Sequence, residues 1–167
     1  TVLRTLAFVS ALLGATAAPA LAQGSGATVI SLNGDIWDGN GGPFLTGNVY
    51  HIFTGGGACC GRVPPGQTLT IQPGAIVKID FSLNVQGTLI ANGATFTSWL
   101  DDAQGGDSNG DGSMTLPQPG DWDSLQFTST SMGSVLNNCL VRYGGSTEPM
   151  VWCRGADVAI ASCDIFD

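Results

Sequence analysis

The stretch that decides the fold reads TLTIQPGA from Thr68 to Ala75, and it returns as TLIANGA from Thr88 to Ala94. Leu69 and Leu89 occupy the same place in the two copies, twenty positions apart. Each copy is a short apolar strand, a glycine turn and the start of another strand. Three short strands and three turns in about twenty residues are typical of one coil of a β-helix. The sequence therefore predicts an all-β solenoid built from parallel strands.

A second internal repeat lies nearer the C-terminus. LNNCLV at 136–141 matches IASCDI at 160–165 with an offset of twenty-four, which would place Cys139 directly beneath Cys163. Like residues stack in a solenoid because each coil buries its inward side chains against the neighbouring coils. Buried thiols usually behave as small hydrophobic groups, so we interpret this pair as packing. A disulfide and a metal pair are the alternatives.

The two repeat blocks are separated by an interruption. Leu83–Val85 has its counterpart at Leu125–Phe127, forty-two positions further on, and removing the twenty-two residues 100–121 leaves one ordinary coil. Residues 100–121, called the acidic loop below, are thus predicted to be inserted into a continuing coil. Long loops without secondary structure are uncommon and often functional. We expect residues 23–62 to form an N-terminal cap and first coil, and residues 63–167 the remaining coils.

The N-terminus has the pattern of a secretory signal. Arg4 precedes the apolar stretch Leu6–Leu13, and Ala20–Ala22 provides a small-residue cleavage site before Gln23. The apolar stretch is too short for a membrane span, which needs about 20 apolar residues. Residues 1–22 are therefore predicted to be a signal peptide. We expect the mature chain to be secreted or held at a bacterial-type cell surface, without membrane insertion.

Composition limits the possible partners. After the signal, thirteen acidic residues oppose four basic ones, so the mature charge is 4 − 13 = −9. This charge argues against nucleic acid, whose phosphates require a basic face. An extracytoplasmic location permits disulfides, while the lack of a C-x-x-C pair gives zinc little support. The sequence does not settle the pairing of the five cysteines, Cys59, Cys60, Cys139, Cys153 and Cys163.

The acidic loop contains a cation-binding pattern. Residues 107–112 read DSNGDG, which places Asp107, Asn109 and Asp111 at alternate positions before a glycine. In a tightly curled loop such side chains converge, and their hard oxygen atoms suit calcium. Gln118 stands where an EF-hand would have a bidentate Glu, so a complete EF-hand is not predicted. We predict a calcium site that differs from an EF-hand. The alternative is a solvated acidic turn without a bound ion. Its remaining ligands are expected among Asp101, Asp102 and Asp121.

Several motifs carry a resemblance to a known family. VPPGQTLTIQPG at 63–74, PGDW at 119–122 and VRYGG at 141–145 resemble bacterial right-handed parallel β-helix proteins of the pectate-lyase-like superfamily. The resemblance covers about Tyr50 to Gly145 and implies a right-handed coil. Members of the family include polysaccharide-degrading enzymes, adhesin-like surface proteins and proteins of unknown role. A shared fold does not determine which of these activities a chain has.

Catalytic residues are hard to find in the mature chain. A lyase of this family would need Lys or Arg beside clustered acids, yet the four basic residues are scattered. Lys78 lies in an alternating strand, so we expect it to face outward and be solvated. His51 is the only histidine and is predicted to be a strand residue near the first coil. Trp99 and Trp122 flank the acidic loop, which favours packing over a sugar-stacking platform. We assign no catalytic residue.

The leading functional hypothesis is a secreted or cell-surface scaffold that calcium stabilises and that mediates adhesion. Its expected partners are polysaccharides or cell-surface glycans. The alternatives are a polysaccharide lyase or glycoside hydrolase with catalytic coils downstream, and a carbohydrate-binding module. Because solenoids need capped ends and the sequence stops at Asp167 one strand into a repeat, we also expect a truncated fragment.

Overall fold

A computed structural model describes residues 28–55 and 60–167. The predicted signal peptide, residues 1–22, lies outside the described residues, and so does Cys59. The described part of the chain contains fifteen β-strands and no helix. Accordingly, none of its segments is a helix that could cross a membrane.

The strands are short, from two to six residues, and turns separate them. Their bounds are β1 Val29–Leu32, β2 Gly34–Asp35, β3 Val49–Ile52, β4 Gly61–Val63, β5 Thr68–Ile71, β6 Ile76–Ile79, β7 Ser82–Val85, β8 Thr88–Asn92, β9 Thr95–Ser98, β10 Ser124–Phe127, β11 Met132–Asn137, β12 Leu140–Arg142, β13 Val151–Cys153, β14 Asp157–Ala161 and β15 Asp164–Phe166.

The strands form three sheets in which all named strands pair in parallel. Their orders are β1-β3-β6-β9-β12-β15, β2-β4-β7-β10-β13 and β5-β8-β11-β14. From β4 onward, three consecutive strands enter three different sheets, and each strand pairs with the third strand after it. The prediction of an all-β chain with parallel strands is confirmed. This path is compatible with a parallel β-helix.

The register between strands agrees with the internal sequence repeats. Each alignment of the sequence repeats matched a pair of apolar residues. Those residues are paired across neighbouring parallel strands. The pairs are Leu69 with Leu89, Leu83 with Leu125, and Leu136 with Ile160. Five of these six side chains are fully buried. Burial of one such side chain contributes about 1.5–3 kcal/mol, so stacked apolar columns are a main source of stability.

Cys139 and Cys163 also stack. The backbone N–H of Cys139 lies 3.4 Å from the Cys163 sulfur, and both cysteines are free thiols. Burial raises the pKa of the Cys139 thiol. The interpretation of this pair as packing, rather than as a disulfide, is confirmed.

An interruption separates β9 from β10. Two residues, Asp80 and Phe81, join β6 to β7, whereas the twenty-five residues 99–123 join β9 to β10. β9 pairs with β6, and β10 pairs with β7. The chain therefore leaves the sheets after β9 and returns where an uninterrupted coil would have continued.

Lys78 differs from the expectation in one respect. Its neighbours Val77 and Ile79 belong to the apolar core, so Lys78 faces outward from the six-stranded sheet, as predicted. Its side chain is nevertheless 0% exposed. The prediction that it is solvated is wrong, because part of the acidic loop lies over it. His51 lies in β3, which confirms its prediction as a strand residue.

Candidate cation site

The acidic loop folds back onto the outer face of the six-stranded sheet. Val49 and Lys78 point outward from β3 and β6, and both are fully buried. Gly105 lies directly above this face: a Cβ atom added to it would come within 2.5 Å of Val49 Cγ2. The Lys78 ammonium donates a hydrogen bond of 3.0 Å to the Gly106 carbonyl. These contacts hold the middle of the loop against the sheet.

Asp101 fixes the beginning of the loop. Its Oδ2 accepts hydrogen bonds from Arg142 Nη2 at 2.6 Å, from Arg142 Nε at 3.1 Å and from Thr97 Oγ1 at 2.5 Å. The carboxylate is 1% exposed and the Arg142 side chain is 14% exposed. A buried ion pair of this kind positions its partners strongly, because removing either one would leave an unpaired buried charge.

The DSNGDG turn has the curled form that its sequence predicts. Asp107 Oδ1 accepts hydrogen bonds from the backbone N–H groups of Gly110 at 2.7 Å and Asp111 at 3.1 Å. Asp107 Oδ2 accepts one from the Gly112 N–H at 2.9 Å. The backbone thus wraps around one carboxylate and brings the next one close to it.

Asp111 is held by the residues that follow it. Its Oδ1 accepts a hydrogen bond from the Met114 N–H at 2.9 Å, and its Oδ2 accepts from the N–H and the hydroxyl of Thr115. The Thr115 hydroxyl, helped by the backbone N–H groups, lowers the pKa of Asp111 below its usual value. Asp111 is therefore an anionic oxygen donor over the whole physiological pH range.

Three carboxylates converge at this turn. One oxygen from each of Asp102, Asp107 and Asp111 lies within 4.8 Å of the other two. Both oxygens of Asp102 are buried, and neither has a hydrogen-bond partner among the described residues. Carboxylates at this spacing repel one another unless a cation lies between them. The donor set of hard, anionic oxygen atoms fits calcium.

The other predicted ligands lie at different places. Asn109 is beside Asp111: its Nδ2 donates to Asp111 Oδ2 at 3.0 Å. Asp101 belongs to the ion pair with Arg142. Asp121 lies at the far end of the loop, where its Oδ2 accepts hydrogen bonds from Ser98 Oγ at 2.6 Å and the Gln118 N–H at 2.9 Å. The structure brings Asp102, Asp107 and Asp111 together and leaves Asp101 and Asp121 outside that group.

Lys78 lies beneath the acidic loop, a position that its predicted solvation did not anticipate. Burial lowers the pKa of its ammonium, while Asp101, Asp102 and Asp107 act to raise it. A usable signal was present: Lys78 occupies an outward position on β6, the strand that pairs with β9. The inserted loop begins immediately after β9 and can reach that position.

The two tryptophans at the ends of the loop pack against the sheets. Trp99 stacks on the His51 ring, with centroids 3.6 Å apart and planes at 7°. Trp122 is 1% exposed, and its Nε1 donates to the Arg142 carbonyl at 2.9 Å. Both observations agree with the packing role predicted for them. A shallow surface depression of about 210 Å³ lies beside Trp99, lined by Ile79, Asp80, Ser98, Leu100 and Asp121.

The class of protein that the fold defines is all-β, with parallel strands in three sheets. Comparison with protein-family models, curated proteins and solved structures found no match to this chain.

Proposed function

We propose that this chain is a secreted or cell-surface scaffold of the right-handed parallel β-helix type, stabilised by calcium bound to its acidic loop. We place it in the pectate-lyase-like superfamily on the motifs at 63–74, 119–122 and 141–145. The observation that carries the calcium proposal is the convergence of Asp102, Asp107 and Asp111, with the Asp102 carboxylate buried and unpartnered.

The charge around the loop supports a divalent ion. Four carboxylates, those of Asp101, Asp102, Asp107 and Asp111, lie near two basic side chains, Lys78 and Arg142. Their sum is 2 − 4 = −2, which one calcium ion would neutralise. Buried or clustered charge is tolerated when it is paired or coordinates a metal.

The contacts of the basic residues favour a scaffold over an enzyme. A lyase-type reaction needs a basic side chain free to remove a proton from a bound substrate. Lys78 instead contacts the Gly106 carbonyl under the loop, and Arg142 contacts Asp101. Both side chains therefore have structural partners, and we assign no catalytic residue.

Calcium titration of the mature chain tests this proposal. We expect calcium to raise the melting temperature, because the ion binds the folded loop and not the unfolded chain. Asp107→Ala combined with Asp111→Ala should abolish the rise, since it removes two of the three converging carboxylates.

The matched control is Asp157→Ala combined with Asp164→Ala, which removes two exposed carboxylates from β14 and β15. This variant should keep the full calcium effect. A melting temperature of the unmutated chain that does not respond to calcium would rule out the calcium site.

A further inference from the structure

We infer that the acidic loop is a calcium-dependent cover: calcium holds it on the six-stranded sheet, and without calcium it lifts and exposes Lys78. The inference rests on the proposed calcium site and names what occupation of that site controls. It follows from which groups the loop buries and from how those groups are paired.

The loop covers a part of the sheet that would otherwise face solvent. Outward positions on β3, β6 and β9 carry Val49, Lys78 and Thr97, and each is 0% exposed. On a strand whose inward neighbours fill the core, outward side chains are normally solvated. Their burial is therefore a property of the docked loop.

The two ends of the loop are attached through side chains that form hydrogen bonds, although Asp101 Oδ1 is buried without a hydrogen-bond partner among the described residues. At the beginning, Asp101 is bonded to Arg142 and Thr97. At the far end, Asp121 accepts a hydrogen bond of 2.6 Å from Ser98 Oγ. Neither attachment involves the three converging carboxylates, so both ends can stay in place while the middle of the loop moves.

Asp102, the residue next to the anchored Asp101, is the group that makes docking of the middle of the loop conditional. Asp102 is partly exposed as a residue, but both of its carboxylate oxygens are buried and unpartnered, and it forms no ion pair with Lys78 among the described residues. Burying an ionised carboxylate without a partner is strongly unfavourable. A cation shared with Asp107 and Asp111 removes this penalty, so ion binding and docking are coupled equilibria.

Calcium would thereby control access to one basic side chain, that of Lys78, on an acidic protein. Lys78 and Arg142 are two of the four basic residues after the predicted signal, and both contact the loop. With calcium bound, the Lys78 ammonium is hidden beneath Gly106. In its absence, the ammonium becomes available to solvent and to anionic groups.

Lys78 is the only lysine in the sequence, which gives a direct measurement. The full chain is treated with an amine-acylating reagent in calcium or in a chelator, and mass spectrometry measures the rate of modification at Lys78. Its N-terminal amine serves as the internal reference. We expect Lys78 to react at least about tenfold faster in chelator, because labelling follows the population of the open form.

Asp102→Asn is the diagnostic variant. It removes the buried charge and keeps the shape, so the loop should stay docked and Lys78 should react slowly with or without calcium. Asp157→Asn, the same chemical change at an exposed site on β14, should behave like the unmutated chain.

The outcomes separate the two proposals. If calcium raises the melting temperature but Lys78 reacts equally fast in both conditions, the proposed calcium-dependent docking of the loop is wrong, whereas the proposed calcium site is supported. Fast labelling of Asp102→Asn in chelator would also overturn the cover, since the buried charge would then not be what lifts the loop. If calcium changes neither melting temperature nor labelling, both proposals fail.

Discussion

Asp123 lies two residues after the end of the acidic loop, yet it holds a different part of the chain. Its Oδ1 accepts hydrogen bonds from the N–H and the hydroxyl of Thr147, at 3.1 and 2.7 Å, and from the Glu148 N–H at 3.1 Å. Ser82 Oγ donates to its Oδ2 at 3.3 Å. Burial alone would raise the pKa of Asp123, but these hydrogen bonds together bring it below 3.8.

Asp123→Ala should lower the free energy of unfolding by about 2–3 kcal/mol near neutral pH, because it removes the charged acceptor that these hydrogen bonds share. The pKa of Asp123 is lower in the folded state than the ordinary 3.8, so its carboxylate stabilises the fold above that pH. The contribution is lost as the pH falls through the folded-state pKa. The difference between variant and unmutated chain should therefore shrink in strong acid.

Urea denaturation at several pH values measures this difference. Asp157→Ala, which removes an exposed carboxylate, should have little effect at any pH. A destabilisation by Asp123→Ala that stays constant from neutral to strongly acidic pH would contradict the assigned role of the carboxylate.

Single residues also show which features can be predicted from the sequence and which cannot. The curl of the DSNGDG turn was predictable because Asp107 bonds only to backbone groups three to five residues further on. The burial of Lys78 was not, because it depends on a carbonyl twenty-eight residues away. A local pattern fixes which side of a strand a residue faces, but not what lies on that side.

Among the elements, the acidic loop contains two adjacent glycines at which the effect of backbone strain can be measured separately from the effect of packing. Gly105 and Gly106 have φ values of +73° and +81°, so a side chain is strained at either position. Only Gly105 faces the sheet, where an added Cβ would lie 2.5 Å from Val49 Cγ2. At Gly106 an added Cβ would have no atom within 4 Å.

Gly105→Ala should therefore destabilise the docked loop by about 1–3 kcal/mol more than Gly106→Ala does, since overpacking adds to a similar backbone strain. Thermal denaturation in calcium compares the two variants, and acylation of Lys78 reports whether the loop has lifted. Lys78 should react faster in Gly105→Ala. Equal stability and equal labelling of the two variants would show that Gly105 does not pack on the sheet.

The strands of the coils were more predictable than the loop between them. The offsets of twenty, forty-two and twenty-four residues gave the observed pairings at Leu89, Leu125 and Ile160, because like residues stack in parallel ladders. The same logic gives no information about residues 99–123, which have no strand of their own and no repeat to align with. Their position had to come from the structure.

At the scale of the whole molecule, burial is uneven along the sheets. Leu136 and Val141 are fully buried, whereas their partners on the next strands, Ile160 and Ile165, are 44% and 42% exposed. Each coil of a repeat architecture is stabilised mainly by contact with its neighbours. Among the described strands, β13, β14 and β15 have such a neighbour on one side only, as do β1, β2 and β5 at the opposite ends of the sheets.

Backbone amide exchange should follow this gradient. We expect the slowest exchange in β6, β7, β8 and β9, which have paired strands on both sides, and the fastest in β13, β14 and β15. Mass spectrometry of peptic peptides measures the order, and calcium should leave β14 and β15 unchanged, because among the described residues no hydrogen bond or ion pair joins them to the acidic loop. Uniform protection across all three sheets would mean that the coils open together, and that the one-sided burial of β14 and β15 does not weaken them.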